Sequence, residues 1–338
     1  MHPFLSICLL TYNREKTLRE ALDSLLPQIE PFPDVEIFVS DDASTDNTEA
    51  LVRGYCARHP RLRYFRLPKN SVFDGNFVSC VENATGEYLH FFSDDDIAPP
   101  RFVERIVADL REFHPQVLYI NHTPFYDDNP ERVGAPTQPV LKRLFTDPTE
   151  YFLYTGLGFI SAIAIKAAEA RKHVPKAVLG RGMAYVDISS RCVLATPGPY
   201  LFDGTISVLA RHEVNSWYDI LSYGPMAYAQ ALQDLRRDGL LSESALSWHN
   251  RKTIRLFLPR CIVNNRIKSK KIVPAGELRK LYGRDPLFYL FAYPLALIPA
   301  PIARALFLPL RALMRMRRDW LLRRGKLSSS APPHLAPS

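Results

Sequence analysis

Phe91-Phe92-Ser93-Asp94-Asp95-Asp96 is the stretch on which the reading of this chain turns. The residues Glu87-Tyr88-Leu89-His90-Phe91-Phe92 form an apolar run with strand character, and it ends in three consecutive acids. Pro99 and Pro100 follow, and helical spacing begins near Arg101. Three adjacent carboxylates repel each other and gain nothing from packing. A strand that delivers them at its carboxyl end makes a dense negative site on the rim of a sheet. Hard cations such as Mg²⁺ take carboxylate and phosphate oxygens together, so a divalent cation with bound phosphate would neutralise that site. Taken by themselves, the six residues are equally compatible with a solvated acidic turn.

The preceding ninety residues decide between the two. Residues 4–10 read as a buried strand, followed by the polar turn Thr11-Tyr12-Asn13-Arg14. Leu18, Ala21, Leu22, Leu25 and Leu26 then recur at helical spacing, with Pro27, Pro31 and Pro33 expected to end the helix. Residues 35–39 are a second strand, again followed by a polar turn, in which Ser44, Thr45 or Asp46 can cap the next helix. Residues 62–67 are a third strand, and 74–84 fit a helix with Gly86 as its carboxyl-end stop. Alternating strands and helices with short links predict a parallel sheet flanked by helices. Right-handed crossovers put every strand's carboxyl end on one rim, where open α/β sheets bind their ligands. The polar turns at 11–14, 40–46 and 93–96 are therefore expected to converge. Neither GxGxxG nor GxxxxGK[ST] occurs near the first strand, which disfavours a Rossmann dehydrogenase or a P-loop NTPase.

Further along, residues 101–113 predict a helix and 117–120 a strand, while 122–150, rich in Pro and Asp, read as a long loop or lid over the site. Residues 158–165 and 200–210 are strand-like, and 225–267 are mostly helical. Asp187 lies between Val186 and Ile188 near a helix start. It is either an acid favoured by the helix dipole or a separate carboxylate placed to act as a base. Arg211-His212, after a strand, reads as a solvated loop or as a pair that ligates metal or holds a diphosphate.

Apolar residues make up 47% of the 338-residue chain and charged residues 23%, a globular composition with room for one large domain or two. The net charge of +8 is concentrated: residues 301–338 carry eight basic residues against one acid, leaving about +1 for the rest. Nucleic-acid binding by the body is thus not expected, whereas an anionic partner for the tail is. Residues 287–303 hold no charge, at the short limit for a membrane span, and Pro294, Pro299, Pro301 and Pro309 interrupt helical hydrogen bonding. The reading is a segment lying in the bilayer interface with its arginines on anionic headgroups. Cys8, Cys56, Cys80, Cys192 and Cys261 show no paired or metal-type spacing, which fits reduced thiols in a cytoplasm-like compartment; no basic leader precedes the first strand.

Assembled, these residues resemble a family 2 glycosyltransferase with a GT-A fold. The carriers are residues 6–14 (SICLLTYNR), 39–48 (VSDDASTDNT) and 84–88 (ATGEY), leading into the acidic stretch. Asp74-Gly75-Asn76-Phe77 is similar to the subgroup containing abequosyltransferases, with Gly75 where that subgroup has Arg. The resemblance implies an α/β fold with a mixed, mainly parallel sheet flanked by helices and a C-terminal helical, membrane-associating extension. The implied domains are a glycosyltransferase domain over 1–220 (nucleotide-sugar half to about 115, acceptor half from 116), a helical extension over 221–285, a basic membrane-associating segment over 286–326 and a disordered tail over 327–338.

By position it implies that Thr11, Tyr12, Asn13, Arg14, Asp41, Asp42, Asn76, Asp94 and Arg211 bind the nucleotide sugar. Asp94, Asp95, Asp96 and His212 would hold Mg²⁺ or Mn²⁺, with Asp95 as principal ligand and Ser93 standing where many relatives have Asp. Asp187 would activate the acceptor. The expected chemistry is inverting transfer of one sugar to a lipid-linked or glycan acceptor at the cytoplasmic side of a bacterial inner membrane, as in O-antigen and other surface polysaccharide synthesis. The QxxRW element of the family's processive synthases is not found in the sequence. A nucleotidyltransferase and a non-catalytic membrane-tethered nucleotide-sugar-binding protein are the competing readings.

Overall fold

The chain opens with β1 (Leu5–Thr11), α1 (Glu15–Ile29), β2 (Val35–Asp41), α2 (Thr48–Cys56), β3 (Leu62–Arg66), α3 (Val72–Asn83), β4 (Tyr88–Ser93) and α4 (Phe102–Phe113). The computed structural model describes residues 2–126, 128–212, 219, 221–267, 273–307 and 309. β1 and β2 are buried along their whole length, as continuous apolar strands covered on both faces must be. The order β3-β2-β1-β4 is parallel throughout, so Thr11, Asp41, Arg66 and Ser93 end on one rim.

The sheet continues through β5 (Val117–Tyr126), β6 (Asn129–Val133), β7 (Lys142–Phe145), α5 (Pro148–Thr155), β8 (Ile163–Lys166), α6 (Ala167–His173), α7 (Ala184–Leu194) and β9 (Tyr200–Arg211). β8 lies antiparallel between β4 and β5, β9 runs parallel to β5, and β6 and β7 are antiparallel to β5 and β9. The result is a mixed, mainly parallel sheet flanked by helices.

Four details differ from the sequence reading. Residues 122–150 are not one long loop: they hold the end of β5, then β6 and β7. β6 is exposed at every position, so it has no apolar alternation to betray it, and Pro is tolerated on such edges. The run 158–165 splits into a 3₁₀ turn, Ile160–Ala162, and the short β8. α1 passes through Pro27 to Ile29, its last two turns anchored by buried Leu25, Leu26 and Ile29.

Gly86 is the fourth. It is not a left-handed helix stop, because α3 already ends at Asn83 with Ala84 extended. A Cβ on Gly86 would stand 2.5 Å from the Ser6 amide nitrogen. The glycine is there to let the Ala84-Thr85-Gly86 segment lie against β1, where its N–H donates to Ser6 Oγ at 2.8 Å.

Residues 1–214 and 215–338 form separate compact units. The second contains α8 (Ala227–Arg237), α9 (Glu243–Leu256), α10 (Leu258–Ile267), α11 (Ala275–Tyr282), α12 (Pro286–Phe291) and α13 (Tyr293–Leu297). Leu221, Ile254, Leu258, Cys261, Leu278 and Phe288 are at its core. No helix among the described residues is long and apolar enough to cross a membrane. The arginine-rich stretch from 311 to 326 and the tail from 327 to 338 lie outside the described residues. All five cysteines are free thiols.

Candidate active site on the sheet rim

The three polar turns meet. Asp42 N–H donates to Thr11 O at 3.0 Å. Asn13, in the left-handed region at φ 52°, accepts the Thr45 N–H on its side-chain oxygen at 2.7 Å, and its own N–H donates to Ser44 Oγ at 2.9 Å. Asn is among the few non-glycine residues that hold that conformation at low cost. Arg14 reaches from the first turn to the third and donates to Asp95 Oδ2 at 3.1 Å. Tyr12 leaves its ring exposed between these contacts.

Asp41, the last residue of β2, and Asp42 after it shape this rim. Asp41 is fully buried; it accepts the Ser44 N–H and the Tyr64 hydroxyl, with Arg66 at 3.7 Å. Asp42 Oδ1 accepts both the N–H and the hydroxyl of Ser71. Ser71 in turn explains Gly75: a Cβ at 75 would come within 2.5 Å of Ser71 Cβ and Oγ, so a side chain there would push Ser71 away from Asp42. Asn76 Nδ2 donates to Thr11 O at 3.2 Å, tying α3 to the first turn.

The three consecutive acids face three different environments. Asp96 is buried; its Oδ2 accepts the Ser161 hydroxyl at 2.6 Å and its Oδ1 the Arg211 N–H at 3.1 Å. It knots β4 to the 3₁₀ turn and to the end of β9. Burial first, and the charge of Asp95 second, hold its carboxyl well above the usual range. Asp95 is partly exposed, paired with Arg14 and accepting the Ser93 hydroxyl at 2.7 Å. Asp94 is 7% exposed. Burial, followed by the Asp95 charge, pushes its carboxyl up to about 7, with Arg14, Thr11 and Tyr12 acting the other way.

Arg211 also has a structural post. Its side chain is 3% exposed, lies over the Phe125 ring and donates to Asp95 O, Asp128 and Glu20. A bulge sends β9 there. The register against β5 jumps between Ile120 and Asn121, and the fully buried Asn121 side chain satisfies Gln138 O, Gly204 O and the Gln138 N–H around it. His212 donates its N–H to Phe125 O and sets its ring edge-on to Tyr126 at 5.2 Å. Asp94, Asp95, Asp96 and His212 do not converge as one donor set; among the described residues no three of His, Cys, Asp and Glu form a ready metal cage. The Asp94–Asp95 pair still suits a hard cation, since Mg²⁺ is commonly held by one or two carboxylates together with substrate phosphates and water.

Asp187 sits in the first turn of α7, 2% exposed. Its Oδ1 pairs with Arg191 Nε at 2.9 Å and its Oδ2 accepts the Val178 N–H at 3.1 Å. Asp74, quoted above only as part of a motif, is also buried and makes a contact that no local pattern encodes. Its Oδ2 accepts the N–H groups of Gly180, Arg181 and Gly182 at 2.7–2.9 Å, and its Oδ1 that of Ala184 at 2.9 Å.

Residues 6–165 match the family model described as Glycosyl transferase family 2. Over 96 residues the chain is 38% identical to the GalNAc(5)-diNAcBac-PP-undecaprenol beta-1,3-glucosyltransferase of Campylobacter jejuni, covering 28% of this chain and 30% of that protein. Over 93 residues it is 38% identical to abequosyltransferase RfbV of Salmonella typhimurium, covering 27% and 28%. The matched stretches thus span less than a third of these relatives' length. Among solved structures, the TarS 1-349 fragment of S. aureus superposes with a TM-score of 0.57 at 19% identity, over 89% of this chain and 87% of the fragment. The same fragment has been solved with UDP-GlcNAc. The rim built by β1 to β4 and the acidic stretch it carries lie inside the segment that matches the glycosyl transferase family 2 model, and the fold is of the GT-A type.

Proposed function

We propose that the protein transfers a single sugar from a nucleotide-sugar donor to a hydroxyl of a lipid-linked oligosaccharide, with inversion at the anomeric carbon and with a divalent cation. The observation that carries the reading is that the family 2 segment coincides with the rim where the turns at 11–14, 40–46 and 93–96 lock together beside Asp94. Thr11, Tyr12 and Arg14 line the nucleotide pocket, with the exposed Tyr12 ring offered to the base and Arg14 to the diphosphate. Asp41, Asp42, Asn13 and Asn76 hold that pocket's walls. Asp94 and Asp95 would hold Mg²⁺ or Mn²⁺. When bound, the metal neutralises charge on the departing diphosphate. Asp96 and Arg211 keep the acidic turn in place. Asp187 takes the acceptor hydroxyl's proton, which requires that hydroxyl to displace one of its present partners. The Val178 amide, carried by a loop and not by the same helix, is the partner to be displaced.

A thermal-shift series with UDP, GDP, ADP, CDP and dTDP, each with Mn²⁺, tests the donor class. One of them at a hundredfold excess over its dissociation constant is expected to stabilise the protein by about 2.7 kcal/mol. No shift with any, in Mn²⁺ or Mg²⁺, would reject the reading.

The lipid-linked acceptor is supported by the named Campylobacter relative and by the second unit. Tyr289, Leu290, Leu297, Ile302 and Leu306 are exposed there, while Phe288, Ala292, Leu295, Ala303 and Phe307 are buried in the unit's own core. The segment is apolar on its outer side as well as its inner one, with no acid between 286 and 318. It is read as lying on an anionic bilayer at the cytoplasmic face of the membrane. Co-flotation with phosphatidylglycerol vesicles is expected, and its loss in Leu290→Asp/Leu306→Asp; an unchanged distribution of that variant would remove the bilayer contact.

A further inference from the structure

Loop 178–184 is held at both ends, and only one end is held by the element it leads into. Val178 N–H rests on Asp187, in α7. Gly180, Arg181, Gly182 and Ala184 instead give their N–H groups to Asp74, in the first turn of α3. Met183, at the N-cap of α7, provides no side-chain cap. Asp74 stands at that end from another element: one of its oxygens accepts the Ala184 N–H that opens the helix bearing Asp187, and the other gathers the loop amides just before it. Gly180 and Gly182, at φ 90° and 71°, turn successive N–H groups inward onto one carboxylate, as backbone anion nests do. Charge-assisted bonds of this kind are about twice as strong as neutral ones.

The same short stretch of α3 also touches the nucleotide rim. Ser71, just ahead of the helix, is held by Asp42, and Asn76 is bonded to Thr11 O. Phe73 and Phe77 pack on Tyr185 at 5.9 and 6.4 Å, and Phe77 packs on Phe91 of the acidic strand at 4.3 Å. Residues 71 to 77 therefore bear at once on the donor turns and on the entrance to α7.

We propose that Asp74 is a positioning residue that clasps loop 178–184 to the donor rim and so sets Asp187 and Arg181 for the acceptor. This rests on the glycosyltransferase reading. Because the clasp orders acceptor-side groups while the nucleotide turns have their own bonds, its loss acts on the acceptor step and spares the donor.

Hydrogen exchange, UDP–Mn²⁺ calorimetry and nucleoside-diphosphate release from a panel of nucleotide sugars, with and without detergent-extracted polyprenyl-linked lipid, test it on the full chain. In Asp74→Asn the Gly180, Arg181, Gly182 and Ala184 amides are expected to lose protection. Lipid-stimulated release is expected to fall about tenfold or more, with lipid-independent release and UDP affinity within about twofold of the parent. Gly180→Ala strains the loop at a position where a Cβ meets nothing within 4 Å, leaves Asp74 in place, and should give the same split in milder form. Protection unchanged in Asp74→Asn overturns the clasp. So does a parallel fall in UDP affinity in both variants, which makes the contact a prop of the whole rim. Absence of UDP binding and of release in the parent would instead count against the glycosyltransferase reading, while the exchange result would still decide the clasp.

Discussion

Asp94→Asn is expected to abolish Mn²⁺-dependent binding of a nucleoside diphosphate while leaving the metal-free protein at least as stable as the parent at pH 8. Both halves follow from one physical fact. Asp94 ends a fully packed strand and is nearly closed off from water, and its carboxyl is pushed up to about 7 by burial and by Asp95 beside it. A folded-state pKa above the unfolded value near 4 means that ionising Asp94 costs the fold. That cost is absent at pH 4, grows as pH rises towards 7, and stands in full above it. Asparagine has the same shape and no charge, so the variant escapes the cost. What it cannot do is share a cation with Asp95 and phosphate oxygens.

The parent should gain stability from Mn²⁺ with the diphosphate, and the variant should not. Asp95→Asn should lose the same gain but not the stabilisation, because Asp95 is partly exposed and already paired with Arg14. Asp96→Asn should instead lower the melting temperature, since Ser161 Oγ and Arg211 N–H both rest on that carboxylate. Undiminished Mn²⁺-dependent binding in Asp94→Asn would remove the metal role from this turn.

The meeting of the three turns was legible in the sequence, because strand–helix alternation with short links fixes where strand ends lie. Thr11, Asn13 and Arg14 therefore appear where the pattern puts them. The division of labour among the acids was not legible. Asp94, Asp95 and Asp96 are neighbours in sequence, yet one is closed off from water with its carboxyl pushed up by burial, one is paired with a residue 81 positions away, and one is tied into β9. Arg211 looked like a basic side chain free for phosphate; its partner Glu20 lies 191 residues away, a pairing no local pattern encodes. The contacts that Asp41 and Asp42 make within the fold to Tyr64 and Ser71 were not legible either, since they join separate segments of the chain. β6 and β7 were hidden because edge strands carry polar and proline residues for the same reason loops do.

Asp187→Asn is expected to leave Mn²⁺-dependent nucleoside-diphosphate binding intact and to lower acceptor-dependent transfer by about a thousandfold, the range of a lost general base. The obvious objection is the ion pair. The Arg191 and Asp187 side chains are both buried, and removing one partner of a buried pair leaves an uncompensated charge worth roughly 3–5 kcal/mol of stability. A fall in activity alone would thus not separate a base from a prop. Arg191→Gln and the double variant do. If Asp187 is only one arm of a structural pair, Asp187→Asn and Arg191→Gln should be about equally harmful, and the neutral double variant should recover both melting temperature and transfer. If Asp187 takes the acceptor proton, the double variant should recover melting temperature without transfer. Arg191→Gln, which keeps the carboxylate and its Val178 contact, should then remain the more active single variant. Transfer restored in the double variant would assign the base to another group and leave Asp187 as the anchor of α7.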